Sequence, residues 1–243
     1  MKIAPIRIAM WSGPRNLSTA LMYSFAARAD CAVWDEPFYA AYLAETGIDH
    51  PMREVVIAAG IPDPAKVAAC CIGPNPDEKP IWYQKHMTMH MVPTFDRGFL
   101  RKLTNAFLIR HPARVVESYS KKRESPSLAD LGFLRQAELF DRVADMTGRV
   151  PPVVSAESIR HDPREALLRL CAALDIPFMK TMLAWPAGPK PYDGAWAPHW
   201  YNAVHVSTGF SEPEGSLPTL DADGQRLVDA AWPAYSRLAA LAI

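Results

Sequence analysis

Residues 6–21, IRIAMWSGPRNLSTAL, carry the reading that decides the fold. The apolar run from Ile6 to Trp11 predicts a buried strand. Gly13 and Pro14 then turn the chain. Arg15, Asn16, Leu17, Ser18 and Thr19 lead into ALMYSFAAR, which reads as a helix. A strand, a tight loop and a helix start make an anion site, because free backbone N–H groups and the helix dipole face the ligand. Arg15 adds a planar positive fork and the hydroxyls add donors. The loop is not a Walker A loop: it has no Gly-Lys-Ser/Thr and no Gly directly before Ser18. The plain alternative is a turn followed by a capped helix.

A second segment works with the first. Residues 105–123 read NAFLIRHPARVVESYSKKR. Ala106 to Ile109 is a short apolar run suited to a buried parallel strand. Pro112 disfavours helix at His111 and suits a first helical position. Arg110 therefore falls at a strand's C-terminal end, and Ser118 about two turns inside the next helix. Together they can hold one phosphate from two directions. An Arg closing a sheet edge beside a solvated Ser is the competing reading.

Taken together, these segments resemble the P-loop sulfotransferase family, whose donor is 3'-phosphoadenosine 5'-phosphosulfate (PAPS). The family loop, Pro-Arg/Lys-Ser-Gly-Ser/Thr-Thr, is matched in place by Pro14-Arg15-Asn16-Leu17-Ser18-Thr19, with Asn16 for Ser and Leu17 for Gly. A β-carbon at Leu17 restricts the dihedrals that a Gly would have free. The family's Arg-Asp-Pro-x-x-x-x-x-Ser-Tyr is matched by Arg110-His111-Pro112 through Ser118-Tyr119, with His111 for the acid. A fainter echo is SAESIRHDPREALLRLCAALDIPF at 155–178. The resemblance runs from about residue 6 to 183. It implies that residues 13–19 grip the 5'-phosphosulfate and that Arg110 and Ser118 bind the 3'-phosphate.

Composition excludes several classes. The 243 residues are 49% hydrophobic, and 26 Lys plus Arg balance 26 Asp plus Glu, so no global charge draws the chain to nucleic acid or an anionic membrane. No apolar run reaches membrane-span length. The N-terminus leads straight into the loop, so a cleaved signal peptide would remove the site and none is expected. Cys31, Cys70, Cys71 and Cys171 lack zinc or redox spacing, and reduced thiols in a cytoplasmic protein are expected. One domain over 1–243 is expected; the oligomeric state cannot be read.

Strands are expected at 6–10, 31–34, 81–84, 106–109 and 152–155. Helices are expected at 18–29, 39–46, 52–59, 64–71, 112–123, 127–147, 163–174 and 221–242. This alternation predicts an α/β, P-loop-type nucleotide-binding fold, with a mostly parallel sheet covered by helices on both faces. Ligands of such sheets bind beyond the C-terminal strand ends. Those ends carry Arg15, Asp35-Glu36, Lys85-His86 and Arg110. Such a rim suits transfer of an anionic group to an acceptor hydroxyl or amine: cations balance the moving charge, and one base takes the acceptor's proton.

Two residues compete for the role of base, with His90 a distant third. Glu36 is the first choice, because the resemblance implies a Glu after the second strand in several branches of the family. The alternative there is an acid favoured by a helix N-terminus. His86 is the rival; the cytosolic branch has Lys-x-His after its third strand, whereas Lys85 and His86 are adjacent. Its alternative is a structural His, and that of Lys85 a surface lysine. Residues 184–210, rich in Pro, Gly and aromatics, predict an irregular loop. The resemblance implies that this loop covers the nucleotide, with Lys190, Gly194 and Trp196 in that role. A packed cover whose aromatics serve the core reads equally well.

The reading that emerges is a PAPS-dependent sulfotransferase acting on a small-molecule acceptor, without a metal. A small-molecule kinase with an atypical loop and a non-catalytic nucleotide-binding protein are the alternatives. The missing Gly-Lys weighs against the first; Leu17 keeps the second open.

Overall fold

The computed structural model describes residues 5–121 and 126–243. Strands β1 (Ile6–Ser12), β2 (Cys31–Asp35), β3 (Ile81–Met87), β4 (Thr104–Ile109) and β5 (Val153–Ser155) form one sheet in the order β2-β3-β1-β4-β5. Every pairing is parallel. The central strands are buried on both faces, which is why they read as nearly unbroken apolar runs rather than as alternating ones.

The helices are α1 (Ser18–Ala26), α2 (Tyr39–Thr46), α3 (Arg53–Ala59), α4 (Pro64–Ile72), α5 (Pro112–Ser120), α6 (Leu128–Leu131), α7 (Phe133–Thr147), α8 (Ala156–His161), α9 (Pro163–Ala173), α10 (Ala197–Trp200), α11 (Asn202–His205) and α12 (Ala222–Ala239). One face of the sheet, with Ile8, Met10, Tyr83 and Leu108, packs against Leu21 and Phe25 of α1 and Leu167 and Leu170 of α9. The other, with Trp11, Phe107 and Ile109, packs against Val67 of α4, Leu139 and Phe140 of α7 and Leu238 of α12. Period-two alternation along each strand divides the two cores.

Three expectations need correction. The helix expected over 127–147 breaks at Gly132, whose φ of 75° is open to glycine and costly for other residues. Gly132 sits where the chain crosses behind the loop after β1, and its carbonyl accepts from Thr88 Oγ1 at 3.2 Å. A helix also forms at α8, where none is expected; Ser155 caps it by accepting from the Ser158 N–H. The helix expected over 18–29 ends at Ala26. Residues 122 and 123, expected to end the helix that begins at Pro112, lie outside the described residues.

Strand order locates the site. From β1 the chain moves toward β2 and from β4 toward β5, in opposite directions across the sheet. The crevice between the C-terminal ends of β1 and β4 is therefore the topological switch point. The register sets Ser12 beside both Met87 and Leu108, so β1, β3 and β4 end on one rim.

Candidate active site

The loop after β1 holds two non-glycine residues in the left-handed region, Arg15 at φ 57° and Leu17 at φ 66°. Leu17 thus adopts the conformation that a Gly would take freely, at a cost of roughly 1–2 kcal/mol. It is the N-cap of α1, and no side chain caps that helix start. Ser18 and Thr19, in the first turn of α1, line the crevice. The loop is braced from behind. Asn16 Nδ2 donates to the Leu108 carbonyl at 2.7 Å, and Gly13 lies so close to α6 that a β-carbon there would stand 2.7 Å from the Leu131 carbonyl oxygen.

Arg15 reaches across the crevice. Its Nε donates to Ser118 Oγ at 3.0 Å, and its carbonyl accepts from Arg110 Nη1 at 2.5 Å. The first three polar side chains expected to meet an anion are thus one hydrogen-bonded group. Burial, then the neighbouring Arg110, lowers the Arg15 pKa from its ordinary value. Among the described residues no carboxylate forms an ion pair with it. His111, in place of the family's acid, caps α5: its Nδ1 accepts from the Ala113 N–H at 3.2 Å.

A cavity of about 290 Å³ opens here and runs from Arg110 and Ser118 past Thr19 to Glu36 and Trp196. Its far end is built on β2 and β3. Their register places Asp35 beside Lys85, and the Lys85 ammonium donates to Asp35 Oδ1 at 2.9 Å, Glu36 Oε1 at 2.5 Å and the Tyr201 hydroxyl at 2.6 Å. All three donors of a buried ammonium are used, the condition under which such a charge is tolerated. Burial opposes the Lys85 charge, but Asp35 and Glu36 outweigh it and raise the pKa above its ordinary value. Burial pushes the Glu36 carboxyl up to about 7; Lys85 pulls it down and Asp35 pushes it further up. Glu36 also has φ 41°, an uncommon backbone for a residue before proline, which turns its side chain into the cavity.

The aromatic segment after residue 184 covers this end. Trp196 Nε1 donates to the Tyr201 hydroxyl at 3.0 Å, and that hydroxyl donates to Asp35 Oδ2 at 2.7 Å. Trp196 also meets the ring of Tyr39 at 4.9 Å. His90, 3.9 Å from Glu36 Oε2, is held below its ordinary range by burial and then by His50.

Not every expected residue comes to the cavity. His86 alternates with Lys85 on β3 and so faces the opposite side of the sheet, stacked on Trp11 at 4.3 Å. Burial pushes its imidazole down to about 3. Lys190 does not line the cavity; its ammonium donates to the carbonyls of Pro186 and Gly188 at 2.7 and 2.6 Å. The Gly194 amide donates to Asp35 Oδ2 at 3.1 Å, and its missing side chain leaves room for the Trp196 ring. Of the expected nucleotide-covering set, Trp196 alone lines the cavity, at the Glu36 end. Sequence reasoning placed Asp35 on the rim without a role of its own, and gave no site role to Tyr39, Arg160 or Tyr201. Arg160 lies in the SAESIR stretch, at the end of the helix α8 that periodicity did not reveal, and Tyr201 was one of many aromatics in an aperiodic stretch.

Comparison with known proteins agrees with the fold. A family model described as "Sulfotransferase domain" matches residues 6–242. The Arabidopsis thaliana protein named branched-chain-amino-acid aminotransferase-like protein 1 is 38% identical over 234 residues, covering 96% of this chain but only 42% of that protein. The chain thus spans about two-fifths of that relative's length. Among solved structures, the sulfotransferase from Alicyclobacillus acidocaldarius superposes with a TM-score of 0.56 at 14% identity, covering 98% of this chain and 96% of the other. The sulfotransferase domain of the Synechococcus PCC 7002 olefin synthase gives 0.50 at 17% identity, covering 95% of each. At these identities the structures speak to the fold alone. The match of the family model over nearly the whole length, on a chain with this parallel sheet and this loop after β1, makes the protein a member of the sulfotransferase-domain family.

Proposed function

We propose that this chain is a PAPS-dependent sulfotransferase acting on a hydroxyl or amine of a small-molecule acceptor. The observation that carries this reading is one cavity with an arginine-rich anion end and a carboxylate end: Arg15, Ser118 and Arg110 at one, Glu36 at the other. The residues fit the donor. The uncapped start of α1 and the left-handed turn at Leu17 offer amides to an anion, and Arg15 is free of any carboxylate among the described residues. Bound there, PAPS would supply an activated sulfuryl group whose S–O bond to the 5'-phosphate breaks as the acceptor's bond to sulfur forms.

In this reading, Arg15 and the amides of Ser18 and Thr19 hold the 5'-end and balance charge on the departing phosphate. Arg110 and Ser118 hold the 3'-phosphate. Glu36 accepts the acceptor's proton at a carboxylate oxygen, and a base with a pKa near 7 suits work near neutrality. Lys85 stays charged and fixes Glu36 Oε1, leaving Oε2 for the acceptor. Tyr39, Trp196 and Trp200 line the carboxylate end and would exclude water from it.

The test combines binding and turnover. Adenosine 3',5'-bisphosphate should raise the melting temperature without Mg²⁺ and more than AMP or ATP does, because binding to the folded state stabilises by mass action. Labelled sulfate from PAPS should then appear on a member of a panel of phenols, sugars, alcohols and amines. Stabilisation by Mg-ATP and not by the bisphosphate would replace this reading with a kinase.

A further inference from the structure

At the anion end of the cavity, Arg110 is already paired with an anion from the chain itself. Glu214, in the irregular segment between α11 and α12, inserts its carboxylate among three arginines. It pairs closely with Arg110 Nη2 and accepts from Arg110 Nε at 3.4 Å. Arg114 Nε lies 3.5 Å from Oε2, and Arg160 Nη2 lies 3.9 Å from Oε1. The same arginines grip the backbone around it: Arg114 donates to the carbonyl of Gly215, and Arg160 Nη1 to that of Glu212 at 3.4 Å. Arg110, Arg114 and Arg160 stand on β4's end, α5 and α8, so three elements converge on one carboxylate.

Charge makes this arrangement incomplete. Three guanidinium groups surround one carboxylate, with Glu157 the other acid close enough to act on Arg160. Burial of Arg160 lowers its pKa, and Arg110 and Arg114 lower it further, while Glu214 and Glu157 oppose them. A monoanion with two oxygens leaves donors over; a phosphate offers more charge and three oxygens to the same fork-shaped donors. The Glu214 side chain is one-fifth exposed and stands on a segment without helix or strand, so it can leave without unfolding either core.

We propose that Glu214 is an internal stand-in for the nucleotide's 3'-phosphate: it occupies the three-arginine site in the free protein and is exchanged for that phosphate when the donor binds. This rests on the reading that Arg110 receives the 3'-phosphate. It makes Glu214 a specificity-determining residue. A ligand whose 3'-phosphate displaces it replaces its contacts, whereas a nucleotide lacking that phosphate leaves Glu214 in place. The exchange also couples the donor to the segment 206–215, whose Gly209 and Ser211 line the cavity. With the competent state only fractionally populated, apparent affinity falls by that fraction.

The experiment compares the wild-type protein with Glu214→Gln and Glu214→Ala, using adenosine 3',5'-bisphosphate and AMP as probes in titration calorimetry. Both variants should bind the bisphosphate about tenfold more tightly, with AMP affinity unchanged. Hydrogen exchange on the wild-type protein supplies a readout free of any substitution: the amides of 207–217 should exchange faster with the bisphosphate and not with AMP. If the wild type prefers the bisphosphate over AMP, yet the variants bind it equally or more weakly and 207–217 is unchanged, the exchange is overturned while the 3'-phosphate reading stands. If the wild type does not distinguish the bisphosphate from AMP, the reading of Arg110 falls, and the exchange with it.

Discussion

The Tyr201 hydroxyl donates to Asp35 Oδ2 at 2.7 Å and so fastens a residue of the cover to the C-terminal end of β2, 166 positions earlier. The same oxygen accepts from Lys85, whose other two partners are Asp35 and Glu36. The cover and the carboxylate proposed as base thus share one buried ammonium.

Removing that hydroxyl should be felt at both places. Tyr201→Phe keeps the ring but strips one partner each from Lys85, Asp35 and Trp196. A buried polar group left unsatisfied costs about 1–3 kcal/mol, so chemical denaturation should show a loss of that size. Tyr201 also helps to hold the Glu36 pKa down. The ascending limb of the pH–rate profile should therefore move to higher pH in the variant.

Glu36→Gln retains size and a hydrogen-bonding oxygen for Lys85 but cannot accept a proton. Turnover should fall by roughly 10²–10⁴, with bisphosphate affinity retained. The pH dependence of stability gives a second check. Burial raises the folded-state pKa to about 7, above the unfolded value of about 4.3. Such a group contributes most below the unfolded pKa, and its contribution is lost as pH rises through the folded one. As pH rises from about 4 to 8 the wild type should lose stability relative to Glu36→Gln, measured by urea titration at each pH.

His86→Ala separates the two candidates for base. The imidazole is buried against Trp11 on the far side of β3 and is held neutral by burial. Truncation should lower the melting temperature through the cavity it leaves, while the pH–rate profile of the folded enzyme keeps its shape. A profile that lost its ascending limb would return the role to His86.

Arg110→Ala tests the 3'-phosphate site. A charge-assisted contact contributes about 1.5–3 kcal/mol, so the bisphosphate should bind ten- to a hundredfold more weakly, with little change for AMP. Equal losses for both ligands would make Arg110 a structural residue that holds the Arg15 carbonyl.

Much of this was legible because the signals are local. The strand-loop-helix at 6–21 and the Arg110–Ser118 spacing each fix the local placement of their residues, and the alternating elements encode the rim on which they meet. Asn16 and Leu17 depart from the family loop, yet Leu17 still takes the left-handed turn, because Asn16 and Gly13 pin the loop from behind. What stayed hidden depends on distant partners. The stacking of His86 on Trp11 follows from the register of β3 with β1, and the fork of Lys85 from its register with β2. Glu36 takes a backbone that its neighbour Pro37 disfavours, so local propensity could not aim its side chain. Arg160 and Glu214 meet only in the folded chain.

The Lys85 fork also decides which side of the cavity is a wall and which is a door. Lifting α10 and α11 would carry Tyr201 away and leave a buried ammonium short of an acceptor, at a cost of several kcal/mol. The end at Arg110 and Glu214 is less deeply buried, with Glu214 one-fifth exposed where Lys85 is almost wholly enclosed, so parting that pair costs less. Molecular traffic should therefore pass where 206–215 crosses the arginines, and the aromatic end should stay shut while donor and product exchange.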